Sequence, residues 1–211
     1  MLQILNPFKA GQEFRKLKSE EKWVLALTIV LIAGWLITAG DGLILYKSRD
    51  LRNQYLEEEM GVLNKENLET QIIFLVMFVP VSWVLKSVVF HVLSRILGGE
   101  EVKLSSTIHL IAFTHLPCIF KGLLDLFLGL MYQPPSYEEF VYQLQNPNFL
   151  LIFAKEYNIF FWAFTLMVIA VREQYNLSTK RAFFVVFILY MGVWITQIVM
   201  ISSGSLFRGG I

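Results

Sequence analysis

The sequence predicts an all-α integral membrane bundle of five transmembrane helices, preceded by an N-terminal amphipathic helix that lies in the membrane interface. Three observations carry this. Apolar runs long enough to cross a bilayer recur along the chain, 55% of the residues are hydrophobic, and only 17% are charged, against about 25% in an average soluble domain. A hydrocarbon core of about 30 Å needs about 20 apolar residues of helix, each rising about 1.5 Å. That length selects residues 23–45, 72–96, 108–131, 157–173 and 182–203, giving one membrane domain over 23–203 behind a cytoplasmic interfacial leader, 1–22.

In the leader, Asn6 is a good N-cap and Pro7 suits the first helical position. Phe8, Phe14 and Leu17 are expected on one broad apolar side. Lys9, Arg15, Lys16 and Lys18, with Arg181 further on, are expected to contact anionic lipid, gaining about 1 kcal/mol each near a charged leaflet. A cleaved signal peptide is a poor account of the first span, because the apolar stretch is long and a structured leader precedes it.

The second span carries Pro80 and Lys86, and the third carries His115, Pro117, Cys118, Lys121 and Asp125. Each proline is expected to kink its helix, since it has no N–H for the helical ladder. The fourth span is read from Tyr157, with Asn146 and Pro147 starting a short interfacial piece and Lys155 and Glu156 marking a corner. Before the fifth span, Ser178 or Thr179 can cap the first turn. Trp23, Tyr46, Tyr132, Tyr157 and Tyr175 stand near span ends, where amphipathic rings favour the headgroup layer. The segments between spans, 47–70 and 132–148, are read as loops.

Orientation follows from the basic residues. Lys9, Arg15, Lys16, Lys18, Lys22, Arg95, Lys103, Arg172, Lys180 and Arg181 fall in one set of segments, against Lys47, Arg49, Arg52, Lys65 and Arg208 in the other. The richer set contains the leader, which places the N-terminus in the cytoplasm and the C-terminus outside. A net charge of +1 gives no basic surface of the kind that holds nucleic acid.

Charged groups at membrane depth are costly and need an account. Lys86 and His115 are expected at similar depth, where with Lys121 and Asp125 they form a candidate intramembrane polar site. Lys121 and Asp125 are four apart, on one helical face, and so can pair. Gly98 and Gly99 can adopt positive φ and close the second span at its cytoplasmic end. Cys118 follows Pro117 inside an apolar run and reads as a packed small hydrophobe. Neither a zinc-protease helix, a nucleophile elbow nor a phosphate-binding glycine loop occurs. No catalytic residue, metal or cofactor is therefore expected.

Three stretches together resemble the Yip family, named for interaction with Ypt and Rab GTPases, and within it the prokaryotic branch. They are Asn6-Pro7-Phe8 with the basic residues and Glu20-Glu21-Lys22-Trp23 behind it; Leu97-Gly98-Gly99-Glu100 with the apolar run ending at His115-Leu116-Pro117; and Arg172 followed by Leu177-Ser178-Thr179-Lys180-Arg181-Ala182. The resemblance implies five membrane helices, a cytoplasmic N-terminus and no catalytic activity. It also makes Asn6, Pro7, Gly98, Gly99, Pro117, Arg172, Ser178 and Lys180 candidate structural residues. Eukaryotic members carry a long N-terminal region with an Asp-Leu-Tyr-Gly-Pro motif that this sequence lacks, so GTPase binding is not expected. The function expected is a nonenzymatic scaffold that organises or shapes membrane or serves traffic, with lipids, other membrane proteins or a second copy as partners. The rival is a small transporter or channel built as a homodimer around Lys86, His115, Lys121 and Asp125.

Overall fold

The computed structural model describes residues 2–20, 22–58, 68–146 and 159–202. Among them the elements run α1 (Pro7–Ser19), α2 (Trp23–Lys47), α3 (Arg49–Glu58), α4 (Leu68–Ile96), α5 (Leu104–Ala112), α6 (Leu116–Met131), α7 (Tyr137–Gln145), α8 (Phe160–Tyr175) and α9 (Thr179–Ser202), with no strand. Among the described residues, four stretches are long and apolar enough to cross a bilayer: Trp23–Lys47, Val76–Ile96, Leu104–Met131 and Thr179–Thr196. The remaining predicted span corresponds to α8, whose 16 residues extend about 24 Å. Its predicted start at Tyr157, and the corner at Lys155 and Glu156, lie outside the described residues.

The third span begins earlier than its composition suggests and is not one continuous α-helix. A 3-10 turn at Phe113–His115 separates α5 from α6. Pro117 explains the break, because it cannot donate to the carbonyl four residues back, and the Leu116 N–H bonds to Phe113 O instead. Pro80, by contrast, sits inside α4.

The chain divides into two units: Met1–Lys22, Val84–Ile111 and Phe164–Ile211 form the first, and Trp23–Trp83 with Ala112–Ala163 the second. In the second unit α2 buries small and medium residues, Ala26, Ile29, Val30, Ala33, Gly34, Thr38 and Gly40. It exposes larger ones, such as Val24, Leu31 and Trp35, the last 70% exposed. A helix that turns large apolar groups outward and packs on small ones suits a lipid solvent, where association depends on close backbone approach.

That approach is extreme between α2 and α6. A Cβ on Gly40 would lie 2.4 Å from the Asp125 carbonyl carbon, one on Gly122 would lie 2.5 Å from Leu36 Cβ, and one on Gly129 would lie 2.6 Å from Gly40 O. Residue numbers rise together along the contact, so the two helices run parallel. Alternating spans require this of the first and third. At the far end the Lys47 ammonium donates to the carbonyls of Gly129, Leu130 and Tyr132 at 3.0, 2.8 and 2.9 Å. One cation thus satisfies carbonyls at the α6 C-terminus and lies on the favourable side of its dipole. Lys47→Met should lower stability by about 2 kcal/mol, read as a lower thermal midpoint in detergent, and Lys47→Arg should retain part of the loss.

Two helices occur in segments expected to be loops. Ser136 caps α7, its hydroxyl accepting from the Glu139 N–H at 3.3 Å, and Ser136-Tyr137-Glu138-Glu139 is a capping-box signal that a search for long apolar runs passes over. In the same unit Tyr55 of α3 meets Phe140 of α7 edge to face, centroids 6.4 Å apart.

The first unit joins α1, the later half of α4, α5 and most of α8 and α9. α8 and α9 meet through aromatic rings: Phe164 lies 5.6 Å from Phe183 and 5.8 Å from Tyr190, while Phe183 stacks on Phe187 at 5.5 Å. The leader is helical as expected, with Asn6 Oδ1 accepting from the Phe8 N–H at 3.0 Å. Its apolar side differs from expectation. Ala10, Phe14 and Leu17 are buried within the protein, whereas Phe8 is 97% exposed. Nine residues at about 100° each put Phe8 opposite Leu17.

Candidate functional site

Parts of all three stretches that resemble the Yip family lie in the first unit, namely the leader, the 97–100 turn and the 172–182 stretch, whereas Trp23, His115, Leu116 and Pro117 belong to the second. Two of these parts hold helix C-termini closed in the same way. At the end of α4, Gly98 has φ +81°, its N–H bonds to Arg95 O at 3.1 Å, and the Gly99 N–H bonds to Ser94 O at 2.8 Å. This is a Schellman closure. At the end of α8 the left-handed residue is Asn176, φ +52°, and the Leu177 N–H reaches Arg172 O at 3.1 Å. Asparagine tolerates that conformation better than most residues.

Only Gly98 uses the positive φ expected of both glycines. Gly99 is needed for proximity, since a Cβ there would lie 2.8 Å from Ser94 O and 2.9 Å from Tyr175 Cβ. The two closures are clasped together. The Glu100 N–H donates to Tyr175 O at 3.0 Å, and Asn176 Nδ2 donates to Glu100 Oε1 at 2.8 Å.

Tyr175, expected at the interface, is 0% exposed. Its hydroxyl lies 2.5 Å from Thr107 Oγ1 and 2.8 Å from His91 Nδ1, so the end of α8 is tied to α4 and α5 through one atom. His109 is buried, and its Nε2 accepts the Lys22 N–H at 2.9 Å.

The leader closes over this clasp. Arg15 Nε donates to Glu173 Oε2 at 2.7 Å, Lys18 Nζ donates to Glu173 O at 3.3 Å, and Arg172 binds the other carboxylate oxygen of Glu173 at 3.0 Å through Nε. A Cβ on Gly11 would lie 3.0 Å from Arg172 Nη2, so α1 rests directly on the guanidinium. A cleft of about 600 Å³ opens among Arg15, Lys18, Glu100, Arg172, Glu173 and Asn176, ending at Leu177. A smaller groove of about 390 Å³ lies along His91, Arg95, Glu101, Val102 and Lys103. There Arg95, 2.6 Å from Glu101, holds that carboxyl below the ordinary range.

The other predicted residues are placed as follows. Lys9 and Lys16 are exposed, Lys16 pairing with Glu13 at 3.0 Å. Ser178 Oγ accepts from the Arg181 N–H at 3.4 Å, near the limit for a cap. Lys180 and Arg181 are exposed at the start of α9. Lys121 and Asp125 form an ion pair at 2.6 Å with Asp125 1% exposed, and His115 is buried in that same second unit, with Pro117 beside it. Cys118 is half-buried there. Lys86 is half-buried and belongs to the first unit. Among the described residues no group of three His, Cys, Asp or Glu side chains is arranged to hold a metal.

Sequence reasoning missed Glu173, Asn176 and the structural use of Tyr175. Asn176 carried a legible signal, as a helix-stopping residue ahead of Leu-Ser-Thr. Glu173 did not, because Arg15 lies 158 residues away.

No curated protein and no solved structure matches the chain. The described helices, the meeting of the leader with the 97–100 turn and the 172–182 stretch, and a match of the Yip1 domain family model to residues 2–201 agree: this chain is an integral membrane protein of the Yip family.

Proposed function

We propose that the protein is a nonenzymatic scaffold that organises or shapes its membrane, working through the polar end of its first unit. The observation that supports this most strongly is the clasp itself. The leader, the 97–100 turn and the 172–182 stretch interlock through Glu173, Glu100 and Tyr175 into one surface bearing exposed cations. A surface so constructed offers other membrane components a fixed set of groups, and its fully buried tyrosine is a packing element.

The same convergence supports the orientation in which the leader faces the cytoplasm and the C-terminus lies outside. The ends of α4 and α8 and the starts of α5 and α9 gather with the leader, which is what alternation of five spans requires of the basic set. In a prokaryote the membrane would be the cytoplasmic one, in a eukaryote the endoplasmic reticulum or Golgi. Other membrane proteins and a second copy are the partners this reading calls for, and it assigns no role to a GTPase.

Deleting residues 1–21 should reduce copurification of partners in mild detergent or alter membrane morphology. Arg15→Glu, which sets two carboxylates against each other at Glu173, should have the same effect in a protein that still inserts. Unchanged partners and unchanged morphology in both variants would count decisively against the scaffold.

A further inference from the structure

We propose that the cleft between the leader and the 172–177 turn binds the phosphate of an anionic lipid headgroup, with Arg15, Lys18 and Arg172 as its donors. This rests on the reading that the polar end of the first unit lies at the membrane surface. Arginine and lysine converge there from two elements far apart in sequence, α1 and the end of α8. They outnumber the lining carboxylates by one, since Arg15, Lys18 and Arg172 face Glu100 and Glu173.

Donors remain available. Arg15 engages Glu173 through Nε, Arg172 through Nε and Nη2, and Lys18 meets a neutral carbonyl. Glu100 is engaged by Asn176. Among the described residues, then, one guanidinium edge, further amino groups and an ammonium without a carboxylate partner border a space of about 600 Å³, within the size range of small-molecule sites.

Height selects the ligand. The lining residues stand at helix ends or just beyond them, with Arg172 and Glu173 in the last turn of α8, Asn176 and Leu177 between α8 and α9, Glu100 between α4 and α5, and Arg15 and Lys18 in the second half of α1, where headgroup phosphates lie. Phosphate accepts several charge-assisted bonds in the fork geometry that guanidinium groups offer. Glu173 shares the same two guanidinium groups and so competes with the incoming anion. A net excess of one positive charge fits a singly charged phosphodiester such as that of phosphatidylglycerol.

The test uses the full chain in nonionic detergent, titrated with phosphatidylglycerol and followed by native mass spectrometry. Arg172→Gln and Lys18→Gln should each weaken lipid binding about tenfold. Glu173→Gln should strengthen it about threefold, and Lys9→Gln, on the exposed leader surface away from the cleft, should leave it within about twofold. Lys18 is exposed on α1, so its variant tests the site without depending on the fold around Arg172. Unchanged affinity in both Arg172→Gln and Lys18→Gln would overturn the site, as would an equal loss in Lys9→Gln, which would mean diffuse attraction only. Displacement of the lipid by an equal concentration of soluble glycerol phosphate would overturn the lipid assignment. Loss of the site with leader-dependent partners intact would leave the scaffold standing, so the two failures are distinguishable.

Discussion

Gly40→Ala is expected to lower stability by about 3 kcal/mol, at the upper end of what overpacking ordinarily costs, and Gly40→Val to prevent recovery of folded protein. The added carbon would meet the backbone of the neighbouring helix, 2.4 Å from the Asp125 carbonyl carbon and 2.6 Å from Leu126 N. No rotamer change can relieve that, so α2 and α6 must separate along the contact, losing dispersion on both sides. Gly192→Ala is the internal comparison. It lies inside α9 with nothing within 4 Å of the added carbon, so the substitution should be neutral or should stabilise by up to about 1 kcal/mol through helix propensity. Thermal midpoints in one detergent read both. Equal midpoints for Gly40→Ala and the parent would show that the parallel α2 and α6 contact is wrong.

The second large effect belongs to the ion pair in the third span. Asp125→Ala should cost about 3–5 kcal/mol, because it leaves the mostly buried Lys121 ammonium without its carboxylate. Replacing both, as Lys121→Met with Asp125→Leu, should recover most of the loss, since neither charge then needs a partner. The expected signature is strong coupling in a double-mutant cycle. Additive losses in the double variant would mean that the two charges do not depend on each other.

Much of this protein was readable along the chain. Apolar run length located the membrane helices, Asn6 and Pro7 marked the start of α1, Pro117 marked a break, and the four-residue spacing of Lys121 and Asp125 gave their pairing. All are local signals, spread over a few turns of helix. The two short helices α3 and α7 escaped because neither carries a long apolar run, although Ser136 and Glu139 announced one of them. Phe8 was misplaced for a simpler reason: its angular position opposed that of Leu17, while hydrophobicity alone grouped the two.

The sequence by itself determined the solvent, because transfer into lipid is a sum over neighbouring side chains and needs no knowledge of what they touch. It also determined which stretches would carry the family likeness. Only the tertiary structure decided that Gly40 and Gly129 touch backbone while Gly192 faces open space, that Lys47 is spent on the carbonyls of another helix, and that Glu173 joins the leader to the end of α8. The physical reason is that an α-helix satisfies its own backbone and leaves every side chain facing outward. Which of those side chains meets a partner depends on docking between segments from 82 to 158 residues apart, and no local pattern encodes it.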